Sequence, residues 1–297
     1  MTTIAIVGIG YWGKNLLRIF SEQSTVATCV HTGSESNRKW VKDRYPSIKL
    51  TTDFCKVLDN PDIDAVVVAT PIDTHFKLVK KALNANKDVF VEKPLTTSPQ
   101  RSNKLRLLAE ENDCILFVGY IYQYHPCMIP VIQKSQEEKL SFGKFTWHKY
   151  GGFKQNILFD LAVHAISIID SVIGIDQSNR NISNIDIPVN RKNELAFCVH
   201  FITKNQFFVE IDRESPVKEK SAKFVFQDGT RYFWTENKLF LKDKQKDTYE
   251  TLFRRDKEPL LVECNNFLAA IEDSEPYPSD GSQSVLIDTL IEKIRNL

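Results

Sequence analysis

No stretch of the sequence comes near the roughly 20 consecutive apolar residues that a membrane-crossing helix requires. The longest apolar runs, such as 65–69, are only strand-sized. Neither sign of charge dominates: 39 Lys+Arg against 38 Asp+Glu leave +1. That balance excludes a strongly basic nucleic-acid binder and gives no reason to expect an anionic membrane as partner. Cysteine is sparse and scattered, with six residues (Cys29, Cys55, Cys114, Cys127, Cys198, Cys264) and no Cys-x-x-Cys pair. Such thiols read as small reduced hydrophobes, and no metal site is expected. The opening Met-Thr-Thr-Ile-Ala-Ile-Val-Gly has no positively charged leader region, so a cytoplasmic location is expected. Internal repeats and low-complexity tracts are absent too.

What is present fills two domains. In residues 1–120, short apolar runs (3–7, 26–30, 48–50, 65–69, 88–91, 115–118) alternate with helical patterns (12–21, 35–45, 74–86, 98–112). That rhythm predicts an α/β domain with a parallel sheet. Residues 65–69 are apolar on both faces, as a central strand should be. From 121 to 297 the pattern changes. Helices are expected over 127–139 and 159–173, with a strand at 144–150. Period-2 alternation then runs through 195–202, 206–212, 222–227 and 231–235, with turn residues at Asp228-Gly229 and Glu236-Asn237. The second domain is therefore expected to be α+β with an open, mainly antiparallel sheet, closed by helices at 259–272 and 283–296.

Chemistry is written first at Gly8-Ile9-Gly10-Tyr11-Trp12-Gly13, between the first strand and the first helix. The first glycine permits the tight turn, the second lets a pyrophosphate reach the backbone, and the third lets helix and strand pack. The helix N-terminus adds free N–H groups and a positive dipole end. A dinucleotide is the expected ligand. The second strand ends in Cys29-Val30-His31-Thr32-Gly33-Ser34, without the acidic residue that usually meets a free ribose 2′-hydroxyl. Thr32, Ser34 and Arg38 lie there instead, so NADP is expected over NAD. Ala69-Thr70-Pro71 with His75, and Glu92-Lys93-Pro94, both follow predicted parallel strands, at the sheet edge where α/β proteins bind ligands. In the second domain, Asp160 and His164 are four residues apart and are expected on one helix face, where a carboxylate can bias an imidazole.

The set Gly8-x-Gly10-x-x-Gly13, Thr70-Pro71 with His75, Glu92-Lys93-Pro94 and Asp160-x-x-x-His164 resembles the glucose-fructose oxidoreductase / inositol dehydrogenase (Gfo/Idh/MocA) family. The resemblance is strongest over residues 1–130. It implies an NAD(P)-dependent oxidoreductase acting on a secondary alcohol of a sugar or nucleotide sugar. It further implies a homodimer or homotetramer assembled through the second sheet. Lys93 would stabilise the substrate oxygen, His164 would exchange its proton, and Asp160 would orient both. Tyr122 and Gln123 are further candidates for substrate contact, although Gln123 stands where the family often carries arginine. Two alternatives remain at this stage: a cofactor-binding regulator of the same fold, and a reductase of a non-sugar ring.

Overall fold

A computed structural model describes residues 1–31, 33–149, 156–174, 184–186, 196–202, 206–242, 248–254 and 257–296. Thr32 lies outside the described residues. The chain divides into two compact units: residues 1–120 with 260–288, and residues 121–259 with 289–297.

The first unit runs β1 (Thr3–Val7), α1 (Tyr11–Gln23), β2 (Thr25–Val30), α2 (Glu35–Arg44), β3 (Lys49–Thr51), α3 (Cys55–Leu58), β4 (Ala65–Val68), α4 (Ile72–Asn84), β5 (Asp88–Glu92), α5 (Pro99–Glu111) and β6 (Leu116–Gly119). Its six strands lie in the order β3-β2-β1-β4-β5-β6, and every pairing is parallel. This is the doubly wound arrangement, whose strand order reverses between β1 and β4. Residues 65–68 are wholly buried, which explains why that strand carries no polar face. Helix α5 starts where the sequence signals it, with Pro99 in the first turn and the Ser98 hydroxyl accepting from the Arg101 N–H.

The second unit contains α6 (Ile129–Glu137), β7 (Leu140–His148), a π-helical turn (Leu158–Ala162), α7 (Val163–Ile173), β8 (Asn184–Asp186), β9 (Ala196–Ile202), β10 (Gln206–Asp212), β11 (Glu219–Phe226), β12 (Arg231–Thr235), β13 (Lys238–Lys242) and β14 (Glu250–Arg254). Its eight strands are ordered β14-β13-β12-β11-β7-β10-β9-β8. All neighbours are antiparallel except β7 and β10, which run parallel. Both expected hairpin turns join the strands that flank them, 228–229 between β11 and β12 and 236–237 between β12 and β13.

The chain ends in α8 (Pro259–Asp273) and α9 (Gly281–Arg295). The sequence reading assigns residues 260–288 to the second domain, whereas they are part of the first unit. The reason is aromatic. Phe267 on α8 packs its ring against Phe20, Phe90 and Phe117 at centroid separations of 6.1, 5.6 and 5.6 Å, covering one face of the parallel sheet. The end of α8 also holds the start of the chain, where the Thr2 N–H and hydroxyl both donate to Glu272 Oε1 at 2.8 Å. Among the described residues, no helix is long and apolar enough to cross a membrane.

Candidate functional site

In the first unit the glycine turn stands at the strand-order reversal. Gly8 has φ +96°, a conformation that side chains rarely adopt, and a Cβ there would lie 2.5 Å from the Ala69 carbonyl oxygen. A Cβ on Gly13 would lie 2.0 Å from the Gly8 carbonyl oxygen. At Gly10 a Cβ would meet nothing within 4 Å. The outer two glycines thus serve the protein's own backbone, while the middle one faces open space that a diphosphate can enter. Beside it lies a cavity of about 600 Å³ whose lining includes Gly8, Gly10, His31, Asn37, Thr70, Pro71, Asp73, Thr74, Lys77 and Lys81. Tyr11 and Trp12 follow at the exposed start of α1, with their rings edge to face at 5.7 Å. Shape and donor chemistry both fit a dinucleotide.

Not every residue expected at the cofactor lines that cavity. Arg38 does not: its guanidinium pairs with Glu35 at 3.7 Å along α2. The Ser34 hydroxyl is bonded to that of Ser36 at 2.9 Å, at the start of α2. The cations that do border the cavity, Lys77 and Lys81, stand one turn apart on α4. Helical spacing could have revealed them, since i and i+4 share a face.

His75 is 1% exposed. Its Nε2 lies 2.8 Å from the Thr70 carbonyl oxygen and its Nδ1 lies 3.0 Å from that of Pro94. The ring therefore ties the Thr70-Pro71 loop to the Lys93-Pro94 loop, whose peptide bond is cis. Burial pushes the imidazole pKa below its usual value, outweighing the two carbonyls that favour a second proton. Its place is between the loops, so it shapes the cavity wall through them. Glu92 ends β5 and Lys93 follows it; burial raises the Glu92 carboxyl to about 7, against the opposing pull of Lys93.

In the second unit the expected α-helical pairing of Asp160 and His164 is altered. Asp160 lies in the π-helical turn and His164 in the first turn of α7, so the wider turn shifts one relative to the other. The Asp160 carboxylate is held by Arg213, whose Nη2 donates to Oδ2 at 2.8 Å from a side chain that is almost wholly buried. His164 stands edge-on to Tyr122 at 4.9 Å and to Trp147 at 5.7 Å. Lys220 completes the group. Its Nζ donates to the Tyr122 hydroxyl and lies 4.3, 4.9 and 5.8 Å from the ring centroids of Tyr122, Trp147 and Trp234. Burial, and secondarily Glu236, push the Tyr122 phenol up, beyond the range in which it would ionise. Gln123, expected at the substrate, turns to α7, where its Nε2 donates to the Ser167 carbonyl oxygen at 3.1 Å.

Sequence reasoning missed Arg213, Lys220, Trp147 and Trp234. The signal was available in the strand alternation. In β11, Lys220, Ala222, Phe224 and Phe226 occupy one face, so Lys220 is a cation set in an apolar row. In the same way Arg213 continues the buried row of Val209 and Ile211.

The fold and the glycine turn define the first unit as a dinucleotide-binding Rossmann domain. Residues 2–120 match the model of the Gfo/Idh/MocA oxidoreductase family, NAD-binding Rossmann fold. Among curated proteins it is 32% identical over 126 residues to the scyllo-inositol 2-dehydrogenase (NAD(+)) of Bacillus subtilis, covering 41% of this chain and 36% of that one. It is 28% identical over 115 residues to the dTDP-3,4-didehydro-2,6-dideoxy-alpha-D-glucose 3-reductase of Actinomadura kijaniata, covering 39% and 34%. The matches span under half the length of these relatives. Among solved structures, the UDP-N-acetylglucosamine 3-dehydrogenase GnnA of Acidithiobacillus ferrooxidans superposes with a TM-score of 0.87 at 17% identity, covering 99% of this chain and 97% of that one. At that identity the likeness is one of fold.

Proposed function

We propose that the protein is an NAD(P)-dependent oxidoreductase acting on a secondary alcohol, or the corresponding ketone, of a sugar or nucleotide sugar. The observation that carries this reading is the glycine turn, open at Gly10 alone, in a chain that also keeps Lys93, Asp160 and His164. A regulator that only bound the cofactor would have no use for those three together. Relatives named for inositol and deoxysugar substrates support the substrate class.

Gly8, Gly10 and the N-terminus of α1 would hold the diphosphate, and Thr70 and Pro71 would border the sugar that follows it. When bound, the nicotinamide supplies the hydride acceptor or donor. The Lys93 ammonium stabilises negative charge on the substrate oxygen. His164 takes up or returns the hydroxyl proton, and Asp160, fixed by Arg213, keeps a carboxylate in place beside the reacting sugar. Tyr122 and Lys220 supply hydroxyl and ammonium donors for further substrate oxygens. NADP is the preferred cofactor in this reading, since no carboxylate ends β2 and two lysines border the cavity. A homodimer or homotetramer through the second sheet accompanies it, supported by the half-buried ring pairs Phe142–Phe208 and Phe233–Phe240.

The test is a screen of nucleotide sugars and free polyols with NAD, NADP and their reduced forms, read by absorbance of the reduced nicotinamide. Turnover of at least one sugar-type substrate is expected. Cofactor binding with no turnover across the screen would favour the regulator.

A further inference from the structure

Glu263 on α8 is wholly buried (0% exposed), and among the described residues neither of its carboxyl oxygens has a hydrogen-bond partner. An ionised carboxylate is not tolerated in such a place, whereas the neutral acid is. Its surroundings follow from the packing of α8 on β5. Glu263 precedes Phe267 by four residues, one helical turn, so the two share a face of α8. Phe90 and Glu92 are two apart on β5, so they share a face of the sheet. Phe267 meets Phe90 with ring centroids 5.6 Å apart. The far end of α8 is tied to the start of β1, where Thr2 donates to Glu272, and β1, β4 and β5 run parallel, so the helix runs against the strands and its Glu263 turn lies toward the Glu92 end of β5. Glu92 itself leans toward β6, its Oε2 3.4 Å from where a Cβ on Gly119 would stand.

Among the described residues, the charged group that acts on Glu92 is Lys93, which follows β5, and the one that acts on Glu263 is Glu92; the ring and glycine neighbours Phe20, Phe90, Phe117, Phe267 and Gly119 do not titrate. Two carboxyls set this close in apolar surroundings do not both ionise, and the one with a cation beside it ionises first. We propose that Glu92 and Glu263 form a buried carboxyl pair in which Glu263 keeps its proton, leaving Glu92 alone to carry negative charge beside Lys93. Glu263 is then a positioning residue, acting on the Lys93 ammonium through Glu92. The direction of the titrations agrees: burial and then Glu92 raise Glu263 well above the usual carboxylate range, whereas burial raises Glu92 only to about 7 against the opposing pull of Lys93. The role of Lys93 rests on the oxidoreductase reading; the pair itself does not.

The experiment is infrared spectroscopy of the full-length protein, parent against Glu263→Gln, at about pH 9, where ordinary carboxyls are ionised. A protonated-carboxyl band is expected in the parent and not in the variant. A parent without the band, or a Glu263→Gln protein that keeps it, overturns the pair. Thermal unfolding across pH gives a second readout. Folded-state values above the unfolded ones mean stability that is present in acid and lost as pH rises through them. The parent should therefore lose stability as pH climbs from the usual carboxyl value of 4.5, through about 7 for Glu92 and further for Glu263. Glu263→Gln should lose stability less steeply up to about pH 7 and stop losing it beyond, whereas a deficit equal at every pH overturns the assignment. If the band behaves as expected while Glu92→Gln leaves the pH profile of turnover unchanged, the link to Lys93 fails and the rest of the oxidoreductase reading stands.

Discussion

Arg213 and Asp160 form a near-buried ion pair, Nη2 to Oδ2 at 2.8 Å, with side chains 2% and 15% exposed. At 2% exposure the guanidinium meets little water that could compensate for loss of the Asp160 carboxylate. Asp160→Asn should therefore destabilise the protein by about 3 kcal/mol, the usual cost of breaking a buried pair. Arg213→Met, which replaces the cation with apolar bulk, should cost less than Arg213→Ala. Urea unfolding of the three variants measures this. Equal costs for Met and Ala would mean that the alkyl stem contributes nothing.

The glycines of the turn should separate folding from binding. Gly13→Val forces carbon against a backbone oxygen and should cost about 3 kcal/mol, the upper range for overpacking. At Gly10 a Cβ meets nothing within 4 Å among the described residues, so the melting temperature of Gly10→Val should stay near that of the parent while dinucleotide affinity is lost. Calorimetric titration beside a thermal melt reads both. Unchanged affinity in Gly10→Val would remove the cofactor from this turn.

Cofactor choice should follow the cations that border the cavity. The parent should bind NADPH more tightly than NADH. Lys77→Ala and Lys81→Ala together should weaken NADPH by about tenfold and leave NADH nearly unchanged, the scale of one charge-assisted contact. Arg38→Ala should do less, since that side chain is turned to Glu35. Fluorescence titration with each cofactor decides between them.

Turnover should collapse in Lys93→Ala and His164→Ala. Each loss should be about 10²–10⁴-fold, typical for a group that handles a proton or its charge. Dinucleotide affinity should change far less in His164→Ala. A kinetic comparison at saturating cofactor isolates the effect from binding.

Asp228 gives a prediction in acid. Its carboxylate accepts a hydrogen bond from Lys134 at 2.9 Å, which lowers its pKa to about 2. A depressed folded value means stability that is present above the unfolded pKa and lost as pH falls toward the folded one. Both side chains are partly solvated, so the contribution should be about 1 kcal/mol at most. Asp228→Asn should lose that much at neutral pH, with the difference closing between about pH 4 and pH 2 in a series of urea melts.

Legibility in the sequence tracked the range of the forces involved. The parallel sheet, the glycine turn and the β11–β12–β13 hairpins could be read because periodicity and turn chemistry act over a few residues. The partnership of Asp160 with Arg213 could not, since it joins a π-helical turn to the residue after β10, and neither element names the other. The same holds for Phe267, whose partners Phe20, Phe90 and Phe117 lie some 150 to 250 residues earlier. Arg38 stands where position after the second strand points to a phosphate, and the pairing with Glu35 one helical turn away is a local contact that position alone does not show. The bond from Gln123 to the Ser167 carbonyl oxygen, across 44 residues, lies beyond local pattern in the same way.

The return of residues 260–288 to the first unit has a consequence during synthesis. A nascent chain that has extruded the whole parallel sheet still lacks the helix that covers Phe90 and Phe117. Until Phe267 leaves the ribosome, that aromatic face stands open to water or to a holding chaperone. The cofactor-binding half, although first to be translated, is thus among the last to be finished.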